Sequence, residues 1–358
     1  MIDRSRVEIA DIASRAIAPK NIDNLREAGI SIILPSPVWD KQTREIYLRV
    51  GDRLFNSDRK RQTFHEIIID HLGYVLGKDW KEAQAKLPLD ERHFIFECYN
   101  ETDALLNSGN ADICKENEEL NSVAPNGYVQ SLITLAFDVY LLANAGVLDD
   151  KLINRLKIKD QYQGARYEIT VASTFIKAGW SIEWCEDIRG VKIPEFIATS
   201  PDGKHKIAVE AKSKHRDGIL HKGGVFDPLN AEKGNMLYLY KDALAKETFG
   251  LPYVIFLDLN SPQAIAKSDK EHWLKDLLAL FDAVDPSHNE KTIDKQNLVV
   301  STNFSPHYDG KSTAIGGQYV IAYSPNAEHP IPEHYLDSIL ASVENVQSVP
   351  MLFPSHIN

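Results

Sequence analysis

The chain has 358 residues, 43% hydrophobic and 25% charged, the balance of a globular protein long enough for one large domain or two ordinary ones. Its formal net charge of -11 excludes a protein that coats nucleic acid over its whole surface, but it leaves room for a local basic groove. Three cysteines, Cys98, Cys114 and Cys185, share no CxxC spacing, which excludes a zinc knuckle and points to a reducing compartment.

The first stretch, MIDRSRVEIADIASR, carries no apolar core of the signal-peptide type, and a cytoplasmic location is expected. ISIILPS (30–36) reads as a short strand. TREIYLRVGDRLF, TFHEIIIDHLGYVLG and ERHFIFECYNETDALLNSG space their apolar residues as helices do. YVQSLITLAFDVYLLANAG, Tyr128 to Gly146, is the most apolar long run. It contains Gln130 and Asp138, so it reads as a buried helix and not as a membrane span. Residues 1–157 are therefore expected to form an α-helical N-terminal region.

The pattern changes near residue 160. QYQGARYEITVASTFIKAG reads as an amphipathic helix closed by Gly179. WSIEWCED, IPEFIATS and HKIAVEAKSK read as three strands, the last two joined by a tight SPDG turn. A helix in AEKGNMLYLYKDALAKE follows, then the apolar strand PYVIFLDL, further strands in NLVVSTNF and QYVIAYSP, and a last helix in EHYLDSILASVENV. That order describes an α/β core in residues 158–358.

Chemistry concentrates in the hairpin. Residues two apart on a strand share a face, so Glu210 and Lys212 point the same way while Val209 and Ala211 face apolar packing. Pairing through the SPDG turn brings Glu195 toward Glu210. Two neighbouring carboxylates repel unless a cation lies between them, and an all-oxygen set suits magnesium or manganese. A lysine beside such a site can orient a water, help deprotonate it, or stabilise charge on a phosphoryl oxygen. Glu168, on the preceding helix, is a third acid within reach of the strand ends.

In this order the residues Glu168, Gly179, Pro194-Glu195 and Glu210-Ala211-Lys212 resemble the core of the PD-(D/E)XK nuclease superfamily, the restriction-endonuclease-like fold. The resemblance covers roughly residues 161–308. It implies a mixed sheet flanked by helices and a metal-dependent endonuclease, with DNA as the first substrate and a role in restriction or defence against foreign DNA. By the same resemblance Glu195 and Glu210 would be metal ligands for Mg2+ or Mn2+, Lys212 the catalytic lysine and Glu168 an auxiliary acid and ligand. The N-terminal region would serve recognition, homodimerisation or control, with no membrane involved. One position departs from the family: Glu195 stands where the family has aspartate. An inactive nucleic-acid-binding or scaffold module and an RNA substrate remain alternatives.

Between 202 and 222 six basic residues face three acids. Lys204, Lys206, Lys214, Arg216 and Lys222 are the candidates for contact with a phosphate backbone, alongside Lys212 itself. Arg166 and Lys177, on the helix before, would extend that patch. Thr302, Asn303, His307 and Tyr308 form a polar strand end that reads as a loop before it reads as a substrate contact. HEIIIDH sets its histidines six apart, about 240° around a helix, too far to share one zinc ion.

Overall fold

The computed structural model describes residues 63–107, 125–227, 236–261, 279, 293–304, 310, 318–324, 326–346 and 348–350, and the strand segments 8–11, 36–39, 46–50, 53–56, 112–114 and 117–122. Strand β1 is Glu8–Asp11. Strands β2 (Ser36–Trp39), β3 (Ile46–Val50) and β4 (Arg53–Asn56) pair antiparallel in that order. This corrects the helical expectation for TREIYLRVGDRLF. Ile46, Leu48 and Val50 also alternate with period two. Only Gly51 and Asp52 separate the paired Val50 and Arg53, the spacing of a tight hairpin. In ISIILPS only Ser36 falls within the described residues, as the first residue of β2.

Helix α1 (Phe64–Leu76) opens with a reciprocal cap. The Glu66 amide donates to Thr63 Oγ1 at 3.3 Å and the Thr63 amide to Glu66 Oε2 at 2.6 Å. Then come α2 (Lys78–Ala85), α3 (Phe94–Leu106), the hairpin β5 (Asp112–Cys114) and β6 (Asn117–Ser122), α4 (Gly127–Asn144) and α5 (Asp150–Leu156). The expected helical region thus mixes helices with short strands. Helix α4 is buried from Val129 to Leu142, and no helix among the described residues is long and apolar enough to cross a membrane. The apolar core runs across the 157/158 division: Phe64, Leu132, Tyr140, Phe175, Phe256 and Ile339 belong to one cluster.

Helix α6 (Lys159–Lys177) is the central strut. It ends where expected, with Gly179 at φ 82°, a conformation that L side chains disfavour. The Trp180 amide donates to the Phe175 carbonyl and the Gly179 amide to that of Ile176, both at 2.9 Å, while the Trp180 ring packs on Phe175. That closure turns the chain into β7 (Ser181–Trp184). Strands β8 (Phe196–Thr199), β9 (Lys206–Ser213) and β10 (Tyr253–Asp258) follow, with α7 (Leu237–Leu244) preceding β10. Then come β11 (Leu298–Asn303), β12 (Gln318–Tyr323) and α8 (Glu333–Glu344).

The six strands β7 to β12 form a mixed open sheet in the order β12-β11-β10-β9-β8-β7, with β1 along the outer side of β12. Strands β9, β10 and β11 run parallel and the outer pairs are antiparallel. Ile207, Val209, Ala211, Val254 and Phe256 point toward the core that contains α6. Ala208, Tyr253, Ile255 and Leu257 point to the opposite face, where Met236, Tyr240 and Ala243 of the α7 segment cover them. Glu210 is in register with Ile255 and Lys212 with Leu257, so both belong to the α7 face.

Helix α6 is not amphipathic toward water. It is buried from Tyr162 to Lys177 except at Gly164, because α4 packs on the side that the sheet leaves open. Its polar stripe, Arg166, Thr170, Ser173 and Lys177, meets Asp138 of α4. Arg166 Nη1 lies 2.8 Å from Asp138 Oδ2, Lys177 Nζ 3.4 Å from Oδ1, and Ser173 Oγ donates to Oδ1 at 2.7 Å. Arg166 and Lys177 are each 1% exposed, so neither extends a surface patch.

Candidate functional site

The hairpin of β8 and β9 is built by its turn. The Ser200 amide donates to the His205 carbonyl at 2.9 Å, and the Gly203 amide to the Ser200 carbonyl at 2.8 Å. Asp202 accepts from the Ser200 hydroxyl and from the Lys204 amide. The register that follows pairs Phe196 with Val209, and continuing it by one residue sets Glu195 opposite Glu210. The backbone holds that position: the Glu195 amide donates to the Val209 carbonyl, and the Glu195 carbonyl accepts from the Cys185 amide, each at 3.0 Å. The sequence expectation that Glu195 approaches Glu210 describes this arrangement.

Glu210 is fully buried on the α7 face. Its Oε1 lies 2.8 Å from Lys212 Nζ and 3.3 Å from Lys246 Nζ. Its Oε2 is buried with no hydrogen-bond partner among the described residues. A buried carboxylate oxygen without a partner is costly, and a bound cation would remove that cost. Lys212 also reaches Asp242 Oδ2 at 3.2 Å, and Asp242 pairs in turn with Lys192 at 2.7 Å.

Burial pushes the Glu195 carboxyl up to about 8, and the negative charges of Glu168 and Glu210 push the same way against Lys212 and Lys246. Burial also raises Glu210, opposed by the same two lysines. Burial alone would lower Lys212, but the charges of Glu210, Glu195 and Asp242 outweigh it and hold the ammonium above its ordinary value. Lys212 is therefore a cation at neutral pH. Burial, then Glu195, also lifts the neighbouring Cys185 thiol to about 11, which leaves it protonated and unreactive.

Glu168 is close enough to act on Glu195, but both its oxygens are engaged: Arg155 Nη1 donates to Oε2 at 2.6 Å and Nη2 to Oε1 at 2.7 Å. Among the described residues no group of three or more His, Cys, Asp or Glu side chains is gathered closely enough to hold a metal ion. The carboxylates brought face to face are thus Glu195 and Glu210. As an all-oxygen pair with an unpartnered oxygen, they fit one magnesium or manganese ion. Sequence reasoning missed Lys246, Asp242 and Arg155. Each arrives from a separate helix or loop, and no local motif marks it.

The basic candidates separate into two groups. Lys204 and Lys206 lie at the turn end of β9, remote from Lys212 along the strand, with Lys204 paired to Asp202 at 3.4 Å. Lys214, Arg216 and Lys222 lie beyond the other end of β9. Arg216 is buried and its Nε donates to the Leu259 carbonyl at 2.9 Å, which ties the loop to the end of β10. Lys222 pairs with Asp217 at 2.9 Å and lines a cleft of about 280 Å³ together with Lys159, Gln163, His215 and His221. Thr302 and Asn303 are buried: Thr302 bonds Tyr167 and Asp258, and Asn303 accepts from the Ser261 amide. His307 and Tyr308 lie outside the described residues.

The raised Glu195 carboxyl has a consequence for stability. Its folded value, about 8, exceeds the ordinary 4.5, so the folded protein holds a proton that the unfolded chain releases. Stability from this group is full below the ordinary value and is lost as pH rises through the folded one. Glu195→Gln, which cannot ionise, is expected to be more stable than wild type above pH 8, by roughly 5 kcal/mol at most, and no more stable at pH 4. Urea unfolding at the two pH values measures the difference; an equal offset at both would show that Glu195 is not strained by its charge.

Comparison of the chain with known proteins finds no matching family model, no matching curated protein and no matching solved structure.

Proposed function

We propose that the protein is a metal-dependent nuclease of the PD-(D/E)XK type, hydrolysing phosphodiester bonds of nucleic acid, in the first place DNA. The observation that supports this reading most is the placement of Glu195 opposite Glu210, with Lys212 on the same face at 2.8 Å from Glu210. Glu195 and Glu210 would hold Mg2+ or Mn2+, and the unpartnered Oε2 of Glu210 favours it. When bound there, a divalent cation supplies Lewis-acid stabilisation of charge on a phosphoryl oxygen.

The remaining chemistry belongs to the chain. Lys212 stays protonated beside two carboxylates, so its role is to donate hydrogen bonds to a phosphoryl oxygen or to a water; it is not a base. Asp242 and Glu210 hold its ammonium from two sides, which fixes the donor before substrate arrives. Lys246 also lies 3.3 Å from Glu210 and, with Lys212, opposes the burial that raises its carboxyl. The N-terminal region and the Lys214–Lys222 segment would serve binding and control, and a part in defence against foreign DNA accords with this activity.

A second reading, an inactive nucleic-acid-binding module, is favoured by one observation: Glu168 is occupied by Arg155, and among the described residues no group of three acids is gathered closely enough to hold a metal ion. Incubation of supercoiled plasmid with Mg2+ or Mn2+ separates the two. The nuclease reading expects nicking that requires the metal. Retarded but uncut DNA under every metal supports the module instead.

A further inference from the structure

The pair Arg155–Glu168 occupies an unusual place. Its two parallel contacts use one lone pair on each oxygen of Glu168 and set the guanidinium charge against any cation that approaches the same carboxylate, so Arg155 and a metal ion compete for it. Both partners are electrostatically tied to Glu195: Glu168 raises it, and Glu195 in turn contributes to raising Arg155. The three groups therefore share one region around Glu195. The pair is also asymmetric, with Glu168 9% exposed and Arg155 39% exposed in their side chains. Arg155 is the solvent-side member, near the end of the seven-residue helix α5. Gly164, one turn before Glu168, borders the pair closely: a Cβ there would be in ordinary van der Waals contact with Arg155 Nη2 at 3.5 Å and Glu168 Oε1 at 3.8 Å.

We propose that Arg155 is an exchangeable partner of Glu168. It holds the third carboxylate until a divalent cation binds beside Glu195 and Glu210; Glu168 then joins the cation, and the released guanidinium takes a phosphate oxygen of the substrate strand. The inference rests on the reading of Glu195 and Glu210 as metal holders. A guanidinium fork matches a phosphate as well as it matches a carboxylate, so the same side chain serves both partners in turn.

The test is calorimetric titration of the full chain with Mn2+, without nucleic acid, on wild type, Arg155→Ala and Arg155→Ala/Glu168→Gln. With its competitor removed, Glu168 is free to ligate, and Arg155→Ala is expected to bind Mn2+ about fivefold tighter or more, a gain that the double variant loses. A purely structural pair would not tighten binding when broken. In cleavage of a short duplex at saturating Mn2+, Arg155→Ala is expected to raise KM severalfold, with partial recovery in Arg155→Lys. Arg155→Gln, which keeps most of the stem, replaces the alanine variant if that fails to fold. Mn2+ affinity that is equal to wild type, or a gain that survives in the double variant, overturns the exchange alone. Absence of Mn2+ binding in every protein overturns both the exchange and the metal reading.

Discussion

Lys212→Ala is expected to slow metal-dependent plasmid nicking about 100- to 1,000-fold, the range for removing one preorganised donor from a developing charge. That corresponds to about 3–4 kcal/mol in the barrier. The expectation follows from placement. Lys212 Nζ is held between Glu210 Oε1 at 2.8 Å and Asp242 Oδ2 at 3.2 Å, on the strand face that also presents Glu195. Lys212→Arg keeps the charge but replaces a compact ammonium by a planar fork, and it is expected to recover only part of the rate. Lys246 still pairs with Glu210 in these variants, so the site keeps one cation and the fold is expected to survive. Near-ultraviolet circular dichroism checks that. Nicking by Lys212→Ala at the wild-type rate would remove the lysine from the mechanism.

The largest expected effect on stability lies away from the hairpin, at Asp138. It is 1% exposed and faces two buried cations, Arg166 at 2.8 Å and Lys177 at 3.4 Å. Breaking a buried pair by removing one partner leaves uncompensated charge, and Asp138→Ala is expected to destabilise the protein by about 3–5 kcal/mol. Lys177 is already lowered by burial, with Asp138 opposing that; without the carboxylate its proton would be held still less firmly. The damage should reach the site, because α4 backs α6 and α6 carries Glu168. Denaturant unfolding measures the loss, with Asp103→Ala as an exposed control on α3. A change under about 1 kcal/mol would mean that the two cations find other partners.

The hairpin was legible because its signals are local. The SPDG turn, the two-residue period of HKIAVEAKSK and the Gly179 stop each act within a few residues, and together they set Glu195 against Glu210. What surrounds that pair was not legible. Lys246 and Asp242 come from α7 and the residues after it, and Arg155 from α5; their convergence is a product of tertiary packing and leaves no spacing to read. The polar stripe of α6 misled for a related reason. Arg166, Thr170, Ser173 and Lys177 fall on one helical face, which in isolation looks solvated, and a single aspartate on another helix turns it into an interior. TREIYLRVGDRLF failed differently. Its apolar residues satisfy both periods, and the Gly51-Asp52 spacing that decides between them lies inside the run.

The account depends most on one ion lying between two carboxylates. A crystal structure of the protein soaked in manganese, with anomalous scattering collected for the metal, tests this directly. The account predicts a single strong peak within about 2.2 Å of oxygens of both Glu195 and Glu210, with Oε2 of Glu210 among them. No peak at the hairpin, or a peak bound elsewhere in the chain, would contradict it.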